Sequence, residues 1–113
     1  MEHKDIEANI YKYSGWIEDL TSEILRTHFA SLLTQSTFQV LSFSEYHFPV
    51  QGYSCVWLLG ESHLALHTFP KQKGCYFELS SCNQEKMIAF QQFLHQDIKL
   101  KLIKEEQSYS SRS

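Results

Sequence analysis

The sequence predicts an α+β fold, a two-layer α/β sandwich in which two helices cover one face of a mostly antiparallel sheet. Three observations carry that expectation. Apolar residues alternate with polar ones in several short segments, they recur at helical spacing in two longer ones, and the central short segments follow one another through turn residues as hairpins. The predicted order is β-α-β-β-β-α-β.

In residues 6–13, Ile6, Ala8 and Ile10 alternate with Glu7, Asn9 and Tyr11, the period of a strand with one buried face. Ser14-Gly15 is expected to end it and to cap a helix over 16–34, where Ile17, Leu20, Ile24 and Leu32 are flanked by Leu25, Phe29 and Leu33. Residues 37–43 and 53–59 are aromatic and β-branched, with Pro49 and Gly52 between them, and read as two strands joined by a turn. Residues 64–69 alternate again and stop at Pro70; Lys71-Gln72-Lys73-Gly74 reads as a hairpin loop and 75–81 as the returning strand. Met87, Phe90 and Leu94 mark a second amphipathic helix over 83–95. Ile98, Leu100 and Leu102 predict a last strand over 98–103, followed by a polar, mobile tail over 104–113.

At 113 residues, 42% hydrophobic and 20% charged, the chain has the size and composition of one domain. The longest apolar run, residues 55–59, is far short of the roughly 18 that would span a membrane. A net charge of −3 provides no basic field for phosphate backbones, so nucleic acid is not an expected partner. The start Met1-Glu2-His3-Lys4-Asp5 lacks the basic and apolar regions of an export signal. Three cysteines, Cys55, Cys75 and Cys82, make an odd count without CxxC spacing, and together these features lead us to expect a cytoplasmic protein. So small a chain encloses little, which favours a site shared between subunits.

Reactive side chains are densest in Gly60-Glu61-Ser62-His63-Leu64-Ala65-Leu66-His67-Thr68-Phe69-Pro70. A serine hydrolase would use Ser62 with His63 or His67, but the run lacks the second glycine of a nucleophile elbow and no helix signal follows it. A metal site would use His63, His67 and Cys82. On a strand the two histidines stand about 13 Å apart, too far to share a zinc in the usual way. On spacing alone, ordinary sheet and turn residues remain an open reading.

Gly52-Tyr53-Ser54-Cys55, Glu61-Ser62-His63, His67-Thr68-Phe69-Pro70 and Ser81-Cys82 together resemble the successive signature segments of the prokaryotic-type S-adenosylmethionine decarboxylase proenzymes. The resemblance covers the central third of the chain, and the element order outside it is compatible. It implies a pyruvoyl enzyme of polyamine (spermidine) biosynthesis, with no metal and no pyridoxal phosphate. The zymogen would cut itself between Glu61 and Ser62 into a β chain, 1–61, and an α chain, 62–113. Ser62 Oγ would attack the Glu61 carbonyl to make an ester, and β-elimination would leave a dehydroalanine that hydrolyses to the pyruvoyl group. By the same resemblance His67 is the base in processing and Ser54 supplies a hydrogen bond there. The pyruvoyl ketone would hold the substrate amine as a Schiff base and accept electrons as CO2 leaves. Cys82 would return the proton to the substrate carbon. Tyr76, Glu78, Ser80 and Cys82 share one strand face by parity, so Glu78 is a candidate to set the thiol's surroundings. Parity also sets Ser62 and His67 on opposite faces, so a bend or bulge between them is expected.

Phe48 matches a position whose ring stacks on the substrate's adenine. Lys71, a donor-only cation, stands where the family usually has a glutamate that accepts from the ribose hydroxyls, and Phe69, Glu78 and Asn83 replace a usual Trp, Asp and Gly. These departures touch substrate identity more than pyruvoyl chemistry. S-adenosylmethionine is the expected substrate; arginine or ornithine, which some members are thought to decarboxylate, is the alternative, and a non-catalytic regulatory paralogue is a third reading. The resemblance also implies a homodimer of cleaved αβ units, with an activator undetermined.

Overall fold

A computed structural model describes residues 8–60 and 62–112. Six strands and two helices follow in order: β1 (Ala8–Glu18), α1 (Ser22–Gln35), β2 (Val40–His47), β3 (Tyr53–Leu59), β4 (Ser62–Phe69), β5 (Gly74–Ser81), α2 (Gln84–Gln96) and β6 (Leu102–Arg112), with a short 3-10 turn at Pro70–Gln72. The strands form one sheet in the order β2-β3-β4-β5-β1-β6, and every neighbouring pair is antiparallel. The expected α+β sandwich is the observed fold.

Alternation creates its two faces. On β3, β4 and β5 the residues Cys55, Trp57, Leu64, Leu66, Phe77 and Leu79 are buried, and those between them are not. The helices lie on the buried side. Leu25, Phe29, Leu32 and Leu33 of α1 and Met87, Phe90 and Leu94 of α2 point into the core. Its centre is a group of four rings: Phe29 and Tyr13 meet Phe77 at 5.9 and 5.2 Å between centroids, and both meet Phe90 at 6.3 Å. Burying each such side chain stabilises the fold by about 1.5–3 kcal/mol. The other face, with Ser54, Val56, Leu58, His63, Ala65 and His67, has no helix over it among the described residues.

Four boundaries differ from the sequence expectation. Ser14-Gly15 does not end the first strand; β1 runs on to Glu18, and α1 starts at Ser22 with Thr21 as its cap, its Oγ1 accepting from the Ile24 N–H at 3.3 Å. Gly15 is there because the neighbouring backbone comes close. A Cβ on it would lie 2.4 Å from the Lys104 carbonyl oxygen and 3.0 Å from the Phe77 ring. The strand expected over 37–43 lies at Val40–His47, since Thr37 takes a left-handed φ of 65° and turns the chain out of α1. Residues 98–100 form a turn tied by Asp97, whose Oδ1 accepts from the Lys99 and Leu100 N–H groups at 2.8 and 3.1 Å. The tail expected to be mobile from residue 104 instead pairs with β1, from Trp16 opposite Lys104 to Ala8 opposite Arg112. Its polar side chains suit an edge strand. Residues 6 and 7 of the expected first strand, and residue 113, lie outside the described residues.

Gly15→Ala is expected to destabilise the protein by about 1–3 kcal/mol, because the new methyl forces β1 and β6 apart against a backbone oxygen. Urea unfolding of the variant beside the unchanged chain measures it, and equal midpoints would refute the close approach.

Candidate active site

Leu59 lies opposite Ser62, so β3 and β4 pair to their adjoining ends, and Gly60 follows Leu59 in a turn. Ser62, the residue after the candidate scissile bond, therefore opens β4 at the rim of the sheet; Glu61 is outside the described residues. On its other side Ser62 pairs with Ser81. Ser81 is buried, and its Oγ accepts from the Asn83 N–H at 2.9 Å. Asn83 in turn caps α2, accepting from the Lys86 N–H at 3.0 Å. Cys82, exposed, occupies the bend between Ser81 and Asn83. Strand pairing thus brings Ser62 and Cys82, twenty positions apart in the chain, to one end of adjacent strands.

His67 and Ser54 form a second group. They are direct cross-strand partners on the uncovered face, and His67 Nδ1 and Ser54 Oγ are 2.9 Å apart. Around them lies an open concavity of about 490 Å³, lined by Ser44, Tyr46, Ser54, Val56, Ala65 and His67. The bend or bulge expected between Ser62 and His67 is absent: the register of β4 runs unbroken across both residues against β3 and β5. Five residues of regular strand separate them by about 16 Å and put them on opposite faces. Within one chain, the candidate base does not reach the candidate nucleophile.

The remaining candidates are dispersed. Glu78 faces the uncovered side, accepting from Tyr76 Oη at 2.9 Å with Lys12 Nζ at 3.2 Å. Partial burial works to raise its carboxyl, but Tyr76 and Lys12 outweigh that and hold it below the usual glutamate range. Four residues of chain, about 13 Å of strand, separate it from Cys82. Phe48 sits in the β2–β3 hairpin, edge-on to Tyr46 at 4.9 Å and half exposed. With His47, Gly52, Tyr53, Thr68 and Pro70 it lines a second hollow of about 340 Å³. Gly52 has a φ of 120°, and a Cβ there would press on the Phe48 ring at 3.3 Å. Lys71 is exposed in the turn just beyond Pro70.

Two polar groups escaped sequence reasoning. Glu45 accepts from Tyr53 Oη at 2.6 Å and Arg26 Nη1 at 3.0 Å, Tyr53 acting most strongly to hold its carboxyl low. Gln39 and Lys86 flank Gly60. No linear spacing joins either set, because their members come from different elements. Among the described residues no three His, Cys, Asp or Glu side chains gather as metal ligands, and no helix is long and apolar enough to cross a membrane.

Residues 8–109 match the sequence profile of a family described as S-adenosylmethionine decarboxylase. No curated protein matches the chain. Among solved structures the fold is similar to that of the adenosylmethionine decarboxylase from Aquifex aeolicus VF5, with a TM-score of 0.72 over 94% of this chain and 91% of that one; the two are 14% identical.

The thiols should react unequally. Burial pushes Cys55 up to about 11 and Cys75 up to about 12, whereas Cys82 is exposed. Iodoacetamide at pH 8 is expected to alkylate Cys82 first, and all three only after denaturation, with peptide mass mapping as the readout. Early labelling of Cys55 or Cys75 would contradict the packing.

Proposed function

Because the chain belongs to the S-adenosylmethionine decarboxylase family, we propose that it is a self-processing, pyruvoyl-dependent decarboxylase that releases CO2 from S-adenosylmethionine in polyamine synthesis. The observation that carries this reading is that Ser62 opens β4 at the rim of the sheet, directly opposite Ser81 and so close to Cys82. A bond at the rim of the sheet leaves room for the newly cut ends to separate, while the rest of β3 and β4 stays paired and keeps the two fragments in one fold. Ser62 fits the group it would generate, being a half-exposed hydroxyl on the residue after the scissile carbonyl.

In processing, Ser62 Oγ adds to the residue 61 carbonyl and the C–N bond breaks, giving an ester and a free amine. Loss of the Ser62 α-proton then expels the carboxylate of residue 61. The dehydroalanine left behind hydrolyses to a ketone and ammonia. The pyruvoyl group supplies an electron sink for decarboxylation. Cys82 returns a proton to substrate carbon, a role that its exposure at the bend next to the strand pairing of Ser62 supports.

His67, some 16 Å along β4 from its own Ser62, serves the site of a second copy. The uncovered face supports a homodimer, since Tyr46, Val56, Leu58 and Phe69 are exposed on or beside it and the Ser54–His67 pair stands among them. Each site then draws Ser62 and Cys82 from one protomer and Ser54 and His67 from its partner. Phe48, in its hollow beside Pro70, offers a ring face to the adenine of the substrate. Lys71 keeps open a second reading of the same chemistry, in which arginine or ornithine is decarboxylated, because a donor replaces the acceptor that the family usually offers to ribose hydroxyls.

Intact mass should show fragments 1–61 and 62–113, the second blocked by a ketone, and Ser62→Ala should remain whole. A whole wild-type chain would instead identify a non-catalytic paralogue. His67→Ala alone should process roughly 10²- to 10⁴-fold more slowly. Co-expression with Ser62→Ala should restore cutting of the His67→Ala chain, and no rescue would refute the shared site. CO2 release from S-adenosylmethionine, arginine and ornithine, assayed side by side, decides the substrate.

A further inference from the structure

Ser81 is the last residue of β5, and it is only 1% exposed. A hydroxyl at that depth costs stability unless its oxygen is used. Ser81 Oγ accepts from the Asn83 N–H, two residues on, at 2.9 Å. That bond closes a turn of the kind in which a serine side chain stands in for a backbone acceptor. One residue lies inside the turn, and it is Cys82.

Both ends of the turn are anchored. Ser81 pairs with Ser62 of β4 on one side and with Tyr11 of β1 on the other, so its backbone is fixed inside the sheet. Asn83 is fastened to α2: its Oδ1 accepts from the Lys86 N–H at 3.0 Å and its carbonyl from the Met87 N–H at 3.2 Å, and the Met87 side chain is buried. A single residue joining a strand to a helix keeps several backbone conformations open, and a bond across it removes them. We propose that Ser81 is the positioning residue of Cys82, its buried hydroxyl holding the 81–83 turn so that the thiol stays next to the strand partner of Ser62; this rests on the decarboxylase reading above.

The turn matters because the proton has two destinations once CO2 has left its bonding pair behind. When Cys82 donates to the substrate carbon, the S–H bond breaks, a C–H bond forms, and the thiolate recovers a proton from water. When the pair and a proton from water end instead on the carbon of residue 62, water releases the substrate as an aldehyde and its amine stays on the protein. Residue 62 is then an alanine and turns over no further substrate. A donor held in place favours the first outcome by proximity, and a donor on a loose turn raises the share of the second.

Ser81→Ala and Ser81→Val lose the hydroxyl, and Ser81→Thr keeps it. Val and Thr have nearly the same shape, so that pair isolates the hydroxyl even where a change of volume at this buried site disturbs packing. All three chains are expected to cut before residue 62 within a few-fold of the unchanged rate, since the backbone makes the Ser62–Ser81 pairing. With S-adenosylmethionine, or with arginine or ornithine should one of these be the amino acid turned over, intact mass counts the 62–113 fragments that end in alanine per CO2 released. That share should rise roughly 10-fold in Ser81→Ala and Ser81→Val and stay near its unchanged value in Ser81→Thr. A second readout needs no turnover. In the uncut Ser62→Ala chain the NMR order parameter at residue 82 should stand near the rigid value of about 0.85, fall below about 0.6 when Ser81→Val is added, and stay high with Ser81→Thr. Equal alanine shares or equal order parameters in the Val and Thr chains would overturn the inference and leave the decarboxylase reading intact. Loss of cutting in Ser81→Val alone would also overturn it, by putting the hydroxyl in processing. An unchanged chain that never cuts would overturn both.

Discussion

The unbroken register of β4 between β3 and β5 is the constraint on which the rest depends. A central antiparallel strand has its backbone donors and acceptors taken on both sides, so it cannot slip by one residue without turning its whole apolar set to the wrong face. Leu64 and Leu66 lock it, being fully buried beneath the helices. With those two positions set, Ser62 falls at the rim beside Ser81, and His67 falls on the uncovered face beside Ser54. The separation of the two reactive groups is a consequence of core packing.

Among the described residues, helices cover the sheet on one side only. Its helix side is closed by four aromatic rings, Tyr13 and Phe29 each meeting Phe77 and Phe90, and by aliphatic residues of both helices. Its other side keeps serines and histidines beside Val56 and Leu58, and β2 at the edge is exposed along almost its whole length. On that face the Ser54–His67 pair stands among exposed apolar side chains, which is what the proposal of a shared site rests on.

Three tyrosine–glutamate pairs brace this arrangement. Tyr13 donates to Glu105, Tyr53 to Glu45 and Tyr76 to Glu78, at 3.0, 2.6 and 2.9 Å. Each carboxylate gains further donors or a cation: His95 and Gln91 at Glu105, Arg26 at Glu45, Lys12 at Glu78. Burial drives the Tyr13 hydroxyl far above its ordinary range, and Glu105 pushes the same way, so it stays a donor. In β1, β3 and β5 these bonds anchor a strand to a helix, a neighbouring strand or its own uncovered face, and they leave Ser54, Ser62, His67 and Cys82 outside the bracing.

Sequence by itself determined the number and order of elements, the limits of β3, β4, β5 and α2 to within about two residues, and which side chains are candidates for chemistry. Those features are local. Alternation and helical spacing record one buried face, and Pro70 and Asn83 mark ends by their own backbone chemistry. Tertiary structure alone decided three others. Gly15 reads as a break but serves a close approach by Lys104, eighty-nine positions away. Residues 104–112 read as a polar tail but form an edge strand, because β1 offers a free line of hydrogen-bond groups that no local pattern reveals. Ser62 and His67 read as partners within one chain, yet a regular strand holds them about 16 Å apart on opposite faces. In each case the deciding partner lies on another strand, and pairing between distant segments leaves little trace in the residues of either one.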